Sequence, residues 1–314
     1  MRRPYLDFMG WRWYLLGFST LLIVISIGAL LFRGINFGIE FKGGSSIEAS
    51  ATASAVAPET IRVELAKHGE RDAVVQAERN VSTGQVSGFL IRLTESSPTT
   101  ASINASAALA AAGVPTTNVS VTTIGPGWGA TVTNSAIIAL IVSIVAILLY
   151  VSIRFEYKMS VTAVIALFHD VIITLGIYAL SGREMNPNTV AALLTILGYS
   201  LYDTIVVFHR IRENGQRIVK QTFMQMANDS INQVLTRSIN TSLTAVIPAV
   251  MLFAFGGDTL KDFAFALMIG LISGAYSSVA VASPLYAMWK EREPKYMALA
   301  KRYATTGTTG KGAS

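Results

Sequence analysis

The stretch "LLTILGYSLYDTIVVFHRIREN", residues 193–214, opens as an apolar run fit for lipid, carries Asp203 inside it and closes on a basic cluster. Read at helical period, Asp203 shares a face with Ser200, Tyr199, Ile196 and Thr195 on one side and Arg210 on the other, and the opposite face is apolar. In hydrocarbon such a polar side has to meet protein or a water-filled cavity. An aspartate at the centre of an inserting helix costs about 2.5–3.5 kcal/mol, so its presence calls for a use.

Working outward, the quoted run belongs to an apolar segment over 188–208, and further segments of spanning length, about 17–25 residues, fall near 13–32, 131–152, 160–180, 239–256 and 264–287. With 314 residues, 52% hydrophobic and only 14% charged, the composition is that of a membrane protein with six spans. The first segment follows basic residues but is long for a signal-peptide core and ends in Leu-Phe-Arg-Gly without a small-x-small cleavage pattern, so it reads as a helix. Cysteine is absent, which excludes disulfides and thiolate metal sites. Three histidines without clustered spacing give no support to a metal centre.

The net charge of +6 is explained by where the charges sit. Arg2, Arg3 and Arg12 precede the first span, Arg154 and Lys158 lie between the second and third, and Arg210, Arg212, Arg217, Lys220 and Arg237 lie between the fourth and fifth. Lys290 begins a basic tail, whereas the opposite short loops hold only Arg183 and Lys261. The positive-inside rule then puts both termini in the cytoplasm of a multi-pass cell-membrane protein, with anionic lipid rather than nucleic acid as the partner of the basic face.

The one large loop, 33–128, falls outside the cytoplasm in that orientation. Its patterning predicts a strand around 35–49, a helix at 58–68 after Pro58, strands at 73–79 and 86–93, an Ala-rich helix at 99–112 and a strand at 118–124. That β-α-β-β-α-β order is the one found in a ferredoxin-like α+β domain. Gly125-Pro126-Gly127-Trp128-Gly129 reads as a hinge into the second span. The expected division is 1–32 for the cytoplasmic N-terminus and first helix, 33–128 for the exported domain, 129–289 for helices two to six, and 290–314 for a cytoplasmic tail that is largely disordered.

Other spans carry polar faces too. Thr162, Asp170, Thr174, Tyr178 and Ser181 recur at helical spacing on the third, with His169 beside the aspartate, and Arg237, Asn240, Thr241 and Thr244 do so on the fifth before Pro248. Spans three to five are therefore expected to turn these faces to one another. Ala266, Gly270, Gly274 and Ser278 on the sixth form a small-xxx-small stripe, read as scaffold for close packing. Burial disfavours an ionised carboxylate and a nearby arginine favours it, which together poise Asp203 to take and lose a proton. The opposing reading is a neutral aspartate bonded to a neighbouring helix, and it weighs more on Asp170. Arg237 is either part of a relay or an arginine snorkelling at a helix end. His169 is either a proton relay or a hydrogen-bond partner of Asp170.

These motifs carry a resemblance. "INFGIEFKGGSSIE", "RFEYKMSVTAVIALFHDVIITLGIYAL", "LLTILGYSLYDTIVVFHRIREN", "LTRSINTSLTAV" and "FGGDTLKDFAFALMIGLISGAYSSVAVASPL" resemble, in order, the motifs of the SecF family, from about residue 5 to 290. SecF proteins are the six-helix partners of SecD in bacterial protein export, within the resistance-nodulation-division (RND) superfamily. The resemblance implies a SecDF unit with twelve helices, acting with the SecYEG channel on translocating preproteins, with protons as the coupling ion and no other cofactor, and no enzymatic activity. It implies a proton relay of Asp203, Arg237 and Asp170, with Tyr199, Ser200, Thr204, Asn240 and Thr241 as the supporting polar face. Phe41-Lys42-Gly43-Gly44 matches the family's Phe-x-Gly-Gly signature, whose glycines can equally be a simple bend or bulge in a strand. Two positions depart from the family pattern: Tyr202 stands where an Asn is usual beside the aspartate, and His209 where an Asp is usual. An intramembrane aspartyl protease would need a second aspartate in a Gly-x-Gly-Asp loop, and Asp170 follows Leu-Phe-His instead. A non-conducting structural subunit and a proton-driven RND-type exporter of small molecules are the remaining alternatives.

Overall fold

Apolar runs closed by glycine, proline or charge set the ends of the long helices, and a computed structural model of the chain, describing residues 5–51, 56–79, 85–94, 97–218 and 220–303, carries that logic through. In chain order the elements are α1 (Arg12–Phe32), β1 (Asn36–Phe37), α2 (Ile39–Lys42), β2 (Gly44–Ala51), α3 (Pro58–Lys67), β3 (Val74–Arg79), β4 (Val86–Leu93), α4 (Pro98–Ala111), β5 (Thr116–Ile124), α5 (Pro126–Arg154), α6 (Tyr157–Ser181), β6 (Glu184–Met185), α7 (Pro187–Gln216), α8 (Phe223–Phe255) and α9 (Asp258–Ser277). A π-helical turn (Ser278–Ala282) joins α9 to α10 (Ser283–Glu291), and α11 (Pro294–Tyr303) follows. Among the described residues six helices are long and apolar enough to cross a membrane, the sixth running from Leu260 through the π-turn to Glu291.

Between the first two of them, β2, β3, β4 and β5 form one antiparallel sheet in the order β3-β4-β2-β5. Strand β2 alternates, burying Ile47, Ala49 and Ala51 and exposing Glu48 and Ser50, as a strand with one covered face must. Helices α3 and α4 supply the cover through Ile61, Leu65, Ala101, Ala105, Ala108 and Leu109, packed on Phe89, Ile91 and Leu93. Proline in the first turn starts both helices, and the Ser97 side chain caps α4 by accepting from the Thr100 amide.

Three expectations need correction. The predicted strand over 35–49 is interrupted: β1 pairs in parallel with β6, α2 is one helical turn, and only from Gly44 does the chain enter the four-stranded sheet. The Gly43-Gly44 pair is therefore a turn. Gly43 has φ 82 and Gly44 φ 140, and a Cβ on Gly44 would lie 2.3 Å from the Leu93 carbonyl oxygen. The predicted hinge at 125–129 is the start of α5, with Gly125 as its N-cap. A Cβ on Gly129 would sit 2.7 Å from the Phe41 carbonyl oxygen, so that glycine seats α5 against α2. Finally, the expected disordered tail is helical as far as Tyr303: α11 docks Tyr296 against Phe223, and residues 304–314 lie outside the described residues, as do Arg2 and Arg3.

In the membrane half, α7 and α9 approach closely because α9 presents glycine where Ile196 and Ser200 of α7 press on it. A Cβ on Gly270 would meet Ile196 at 2.2 Å, and one on Gly274 would meet Ser200 at 2.8 Å. Helix α1 lies on α6 in the same way, with Gly176 under Ser26. Helix α8 begins at Phe223, well before the predicted 239, under a Thr222–Gln225 capping box, and runs on through Pro248.

The sheet domain is fastened to the bundle at the α6–α7 connection. Besides the β1–β6 pairing, Arg92 of β4 donates to Glu184, an ion pair whose side chains are only 10% and 5% exposed. Burial pushes the Glu184 carboxyl up, and the Arg92 charge and hydrogen bond pull it the other way.

Gly44→Ala, which combines a left-handed backbone with a backbone clash, is expected to cost the sheet domain about 2 kcal/mol or more, whereas Gly125→Ala, with open space at its Cβ, should stay within about 0.5 kcal/mol. Limited proteolysis of the two variants checks this, and equal resistance contradicts it. Arg92→Met leaves a buried carboxylate unpaired and should cost about 3 kcal/mol; adding Glu184→Met should recover most of that. Thermal unfolding decides, and a double variant weaker than the single one contradicts the reading.

Candidate functional site

Asp170 lies near the middle of α6, is 1% exposed, and collects hydroxyl donors from two other helices. Its Oδ2 accepts from Ser200 Oγ of α7 at 2.6 Å and from Ser277 Oγ of α9 at 2.7 Å. Its Oδ1 accepts from Ser273 Oγ at 2.7 Å and contacts His169 Nδ1 at 3.0 Å. A carboxylate is an acceptor-only group, and this arrangement fills it with hydroxyls. His169 is buried against the Tyr276 ring, and among the described residues its Nε2 has no hydrogen-bond partner.

Asp203, 4% exposed on α7, stands in contrast. Among the described residues its one side-chain partner is Ser278, whose Oγ lies 2.6 Å from Oδ2. Ser278 opens the π-turn and follows Ser277 directly, so adjacent residues touch the two carboxylates.

Arg237 sits on the exposed side of α8 and donates to the Tyr202 hydroxyl at 3.0 Å; no ion pair joins it to Asp203 among the described residues. Tyr202, one of the departures from the family pattern, is thus the group that receives the arginine. Tyr199 donates to the Thr241 carbonyl across α7 and α8, and Thr241 Oγ1 donates to the Arg237 carbonyl at 2.8 Å. Thr204 is buried; Asn240 is exposed. His209, the other departure, is exposed toward the C-terminal end of α7 beside Arg212 and Arg154.

The structure brings Asp170, Ser200 and Asp203 into one buried region and leaves Arg237, Asn240 and Thr244 on an outer face. The expected facing of polar residues holds between α7 and each of its neighbours, through Ser200 with Asp170 of α6 and through Tyr199 and Tyr202 with Thr241 and Arg237 of α8, and α9 packs against all three helices. The bonds that Ser273, Ser277 and Ser278 provide to the aspartates are not evident from the sequence, where Gly270, Gly274 and Ser278 read as a packing stripe. A partial signal is present: three serines recur within "SGAYSS", 273–278, at spacings that put two of them a helical turn apart. No group of His, Cys, Asp and Glu suited to a metal ion occurs among the described residues.

Over most of its length the chain is similar to known proteins. Residues 104–292 match the family described as protein export membrane protein SecD/SecF, C-terminal, and residues 28–55 match the SecD/SecF GG motif, which covers the Gly43-Gly44 turn. The protein translocase subunit SecF of Streptomyces coelicolor is 40% identical over 301 residues, which cover 92% of this chain and 78% of that protein. SecF of Petrotoga mobilis is 37% identical, with 93% of this chain and 98% of that protein covered. The crystal structure of SecDF from Thermus thermophilus, a translocon-associated membrane protein, superposes with a TM-score of 0.80 at 36% identity over 92% of this chain. This chain spans 39% of that longer one. The chain belongs to the SecF family of protein translocase subunits.

Proposed function

We propose that this chain couples proton flow through its membrane half to the late stage of preprotein export, in a complex with SecD and beside the SecYEG channel. The observation that carries the reading is the unequal treatment of two buried carboxylates. Asp170 is enclosed by three hydroxyls and an imidazole, and Asp203 by a single hydroxyl. Asp170 serves as the fixed acceptor that ties α6, α7 and α9 together. Asp203 is the exchangeable proton site: neutral when protonated and tolerated among apolar helices, ionised when water or the Arg237–Tyr202 pair turns toward it. Each proton moving inward releases about 2.3 kcal/mol per 100 mV of membrane potential, enough over repeated cycles to bias a mechanical step.

The SecD partner is supported by two things. The Thermus relative is named SecDF, with a chain far longer than this one. The outer face of α8 exposes Arg237, Asn240 and Thr244, polar groups that a lipid-facing helix does not leave bare. The β-α-β-β-α-β order and the β3-β4-β2-β5 arrangement support a ferredoxin-like domain at 33–128, and the distribution of Arg and Lys supports its export, with both termini cytoplasmic and anionic lipid against the basic ends. In this role the chain is a transporter subunit without enzymatic activity, and protons are its coupling ion in place of any bound cofactor.

Export into inverted vesicles carrying a proton gradient tests the mechanism. Asp203→Asn keeps shape and hydrogen bonding but removes titration, so gradient-stimulated export should fall to the unstimulated level at equal protein content, and Arg237→Met should weaken it in the same assay. An undiminished response in Asp203→Asn leaves a non-conducting scaffold as the function. The partner face has its own test, made clean by the absence of native cysteine. A cysteine in place of Thr244 should crosslink to single cysteines introduced in SecD spans, and one in place of Ile138 on α5 should not; the reverse pattern puts SecD on another face.

A further inference from the structure

We infer that Ser278 is the positioning residue that reads whether Asp203 carries a proton and passes that state to the α9 backbone; this rests on the proposed proton site. The Ser278 hydroxyl has two acceptors at the same range, Asp203 Oδ2 at 2.6 Å and the Gly274 carbonyl oxygen at 2.6 Å. A serine hydroxyl carries one hydrogen, so it donates to one of them at a time. Beside an ionised Asp203 it donates to the carboxylate, which has no other side-chain donor among the described residues. Once Asp203 binds a proton, the carboxyl O–H donates to Ser278 Oγ, and the serine hydrogen turns to the Gly274 carbonyl. No atom leaves the serine; only its rotor changes.

The position makes that rotation consequential. Gly274 is where α9 touches Ser200 of α7 without room for a Cβ, and Ser200 donates to Asp170. The Gly274 carbonyl also accepts the Ser278 amide at the α9 terminus and lies 3.3 Å from Ser277 Oγ, the neighbouring hydroxyl that holds Asp170. Ser278 further opens the π-turn, where its own carbonyl accepts from Ser283 Oγ at 2.7 Å. Single π-turns inside helices concentrate at functional sites. The charge state of Asp203 therefore alters the hydrogen bonding of the residue at which α9 changes from α to π winding.

The titratable side chains around this pair are Tyr199 and Tyr202 on α7 itself, Asp170 and His169 on α6, Arg237 on α8, Tyr276 on α9 and Tyr286 on α10, and none of them bonds to Asp203. Helices α1 and α5 carry charge only at their ends, Arg12 and Arg154.

The test is pH-difference infrared spectroscopy on the chain purified with SecD, following the protonated-carboxyl band that disappears in Asp203→Asn. In Ser278→Ala the ionised form loses its one donor, so the midpoint of that band should move to higher pH by about one unit, the size expected for one hydrogen bond to a charged group. Ser278→Cys, nearly the same size but a weak donor, should move it in the same direction by less, and it carries the comparison alone should the alanine variant fail to fold. Ser283→Ala, which loses a bond within the same π-turn but no donor to Asp203, should leave the midpoint in place. An unchanged midpoint in the Ser278 variants, or an equal shift in Ser283→Ala, overturns the inference and leaves the proton site standing. If no band depends on Asp203, the proton site and the inference fall together.

Discussion

A carboxylate inside a membrane helix has to be met by donors from other helices, because neither its own helix nor the lipid can supply enough of them. That constraint organises the bundle. Asp170 draws Ser200 from α7 and Ser273 and Ser277 from α9, which holds the two helices against α6. The donors are short, so the backbones must come close, and the glycines at 270 and 274 provide the room. Close packing and carboxylate satisfaction are two aspects of one contact. Substituting either side, a serine or a glycine, disturbs both.

Much of this was legible in the sequence because lipid imposes a length and a hydropathy that no soluble core requires. The six spans and the strand-helix order of the large loop came from pattern alone, and Asp203 stood out because an acidic residue in such a run is expensive. What the pattern did not carry was the place of α9. The polar faces of spans three to five meet at α7, which bonds to α6 through Ser200 and to α8 through Tyr199, while α9, which the pattern marked only as scaffold, packs against all three because its glycines leave room. Nor did the pattern carry the partner of Arg237: its long side chain takes the Tyr202 hydroxyl at the outer edge of α7. Residues 35–49 misled because Phe37, Ile39 and Phe41 alternate like a strand, and only the positive φ of Gly43 and Gly44 reveals the turn. In the tail, Met297, Ala298, Leu299, Ala300, Lys301 and Arg302 are good helix formers and α11 also docks Tyr296 on Phe223, whereas the Gly/Thr-rich stretch that suggested disorder lies mostly past Tyr303, outside the described residues.

The sheet domain and the carboxylates share their supports. Glu184 and Met185, which receive Arg92 and strand β1, lie on the short connection between α6 and α7. Those are the helices that carry Asp170 and Asp203. Any tilt of one relative to the other is delivered to the base of the domain through a buried ion pair and a two-residue strand pairing. The domain is also seated from below, where Gly129 of α5 rests on α2.

The π-turn at Ser278–Ala282 sets the phase of the last span. An α-helix advances roughly 100° per residue, and a single wider turn absorbs about one residue of that advance. The two halves of the sixth crossing are therefore out of angular step with each other. The upper half aims its serines at the aspartates, and the lower half aims Tyr286 at Phe208 and Phe223, although one uninterrupted helix would not present both rows to the same neighbours. Such a helix behaves as two rotational segments on one axis. A small change in winding at the junction turns one half relative to the other, so a shift in the polar core reaches the Tyr286 end as rotation rather than as sliding.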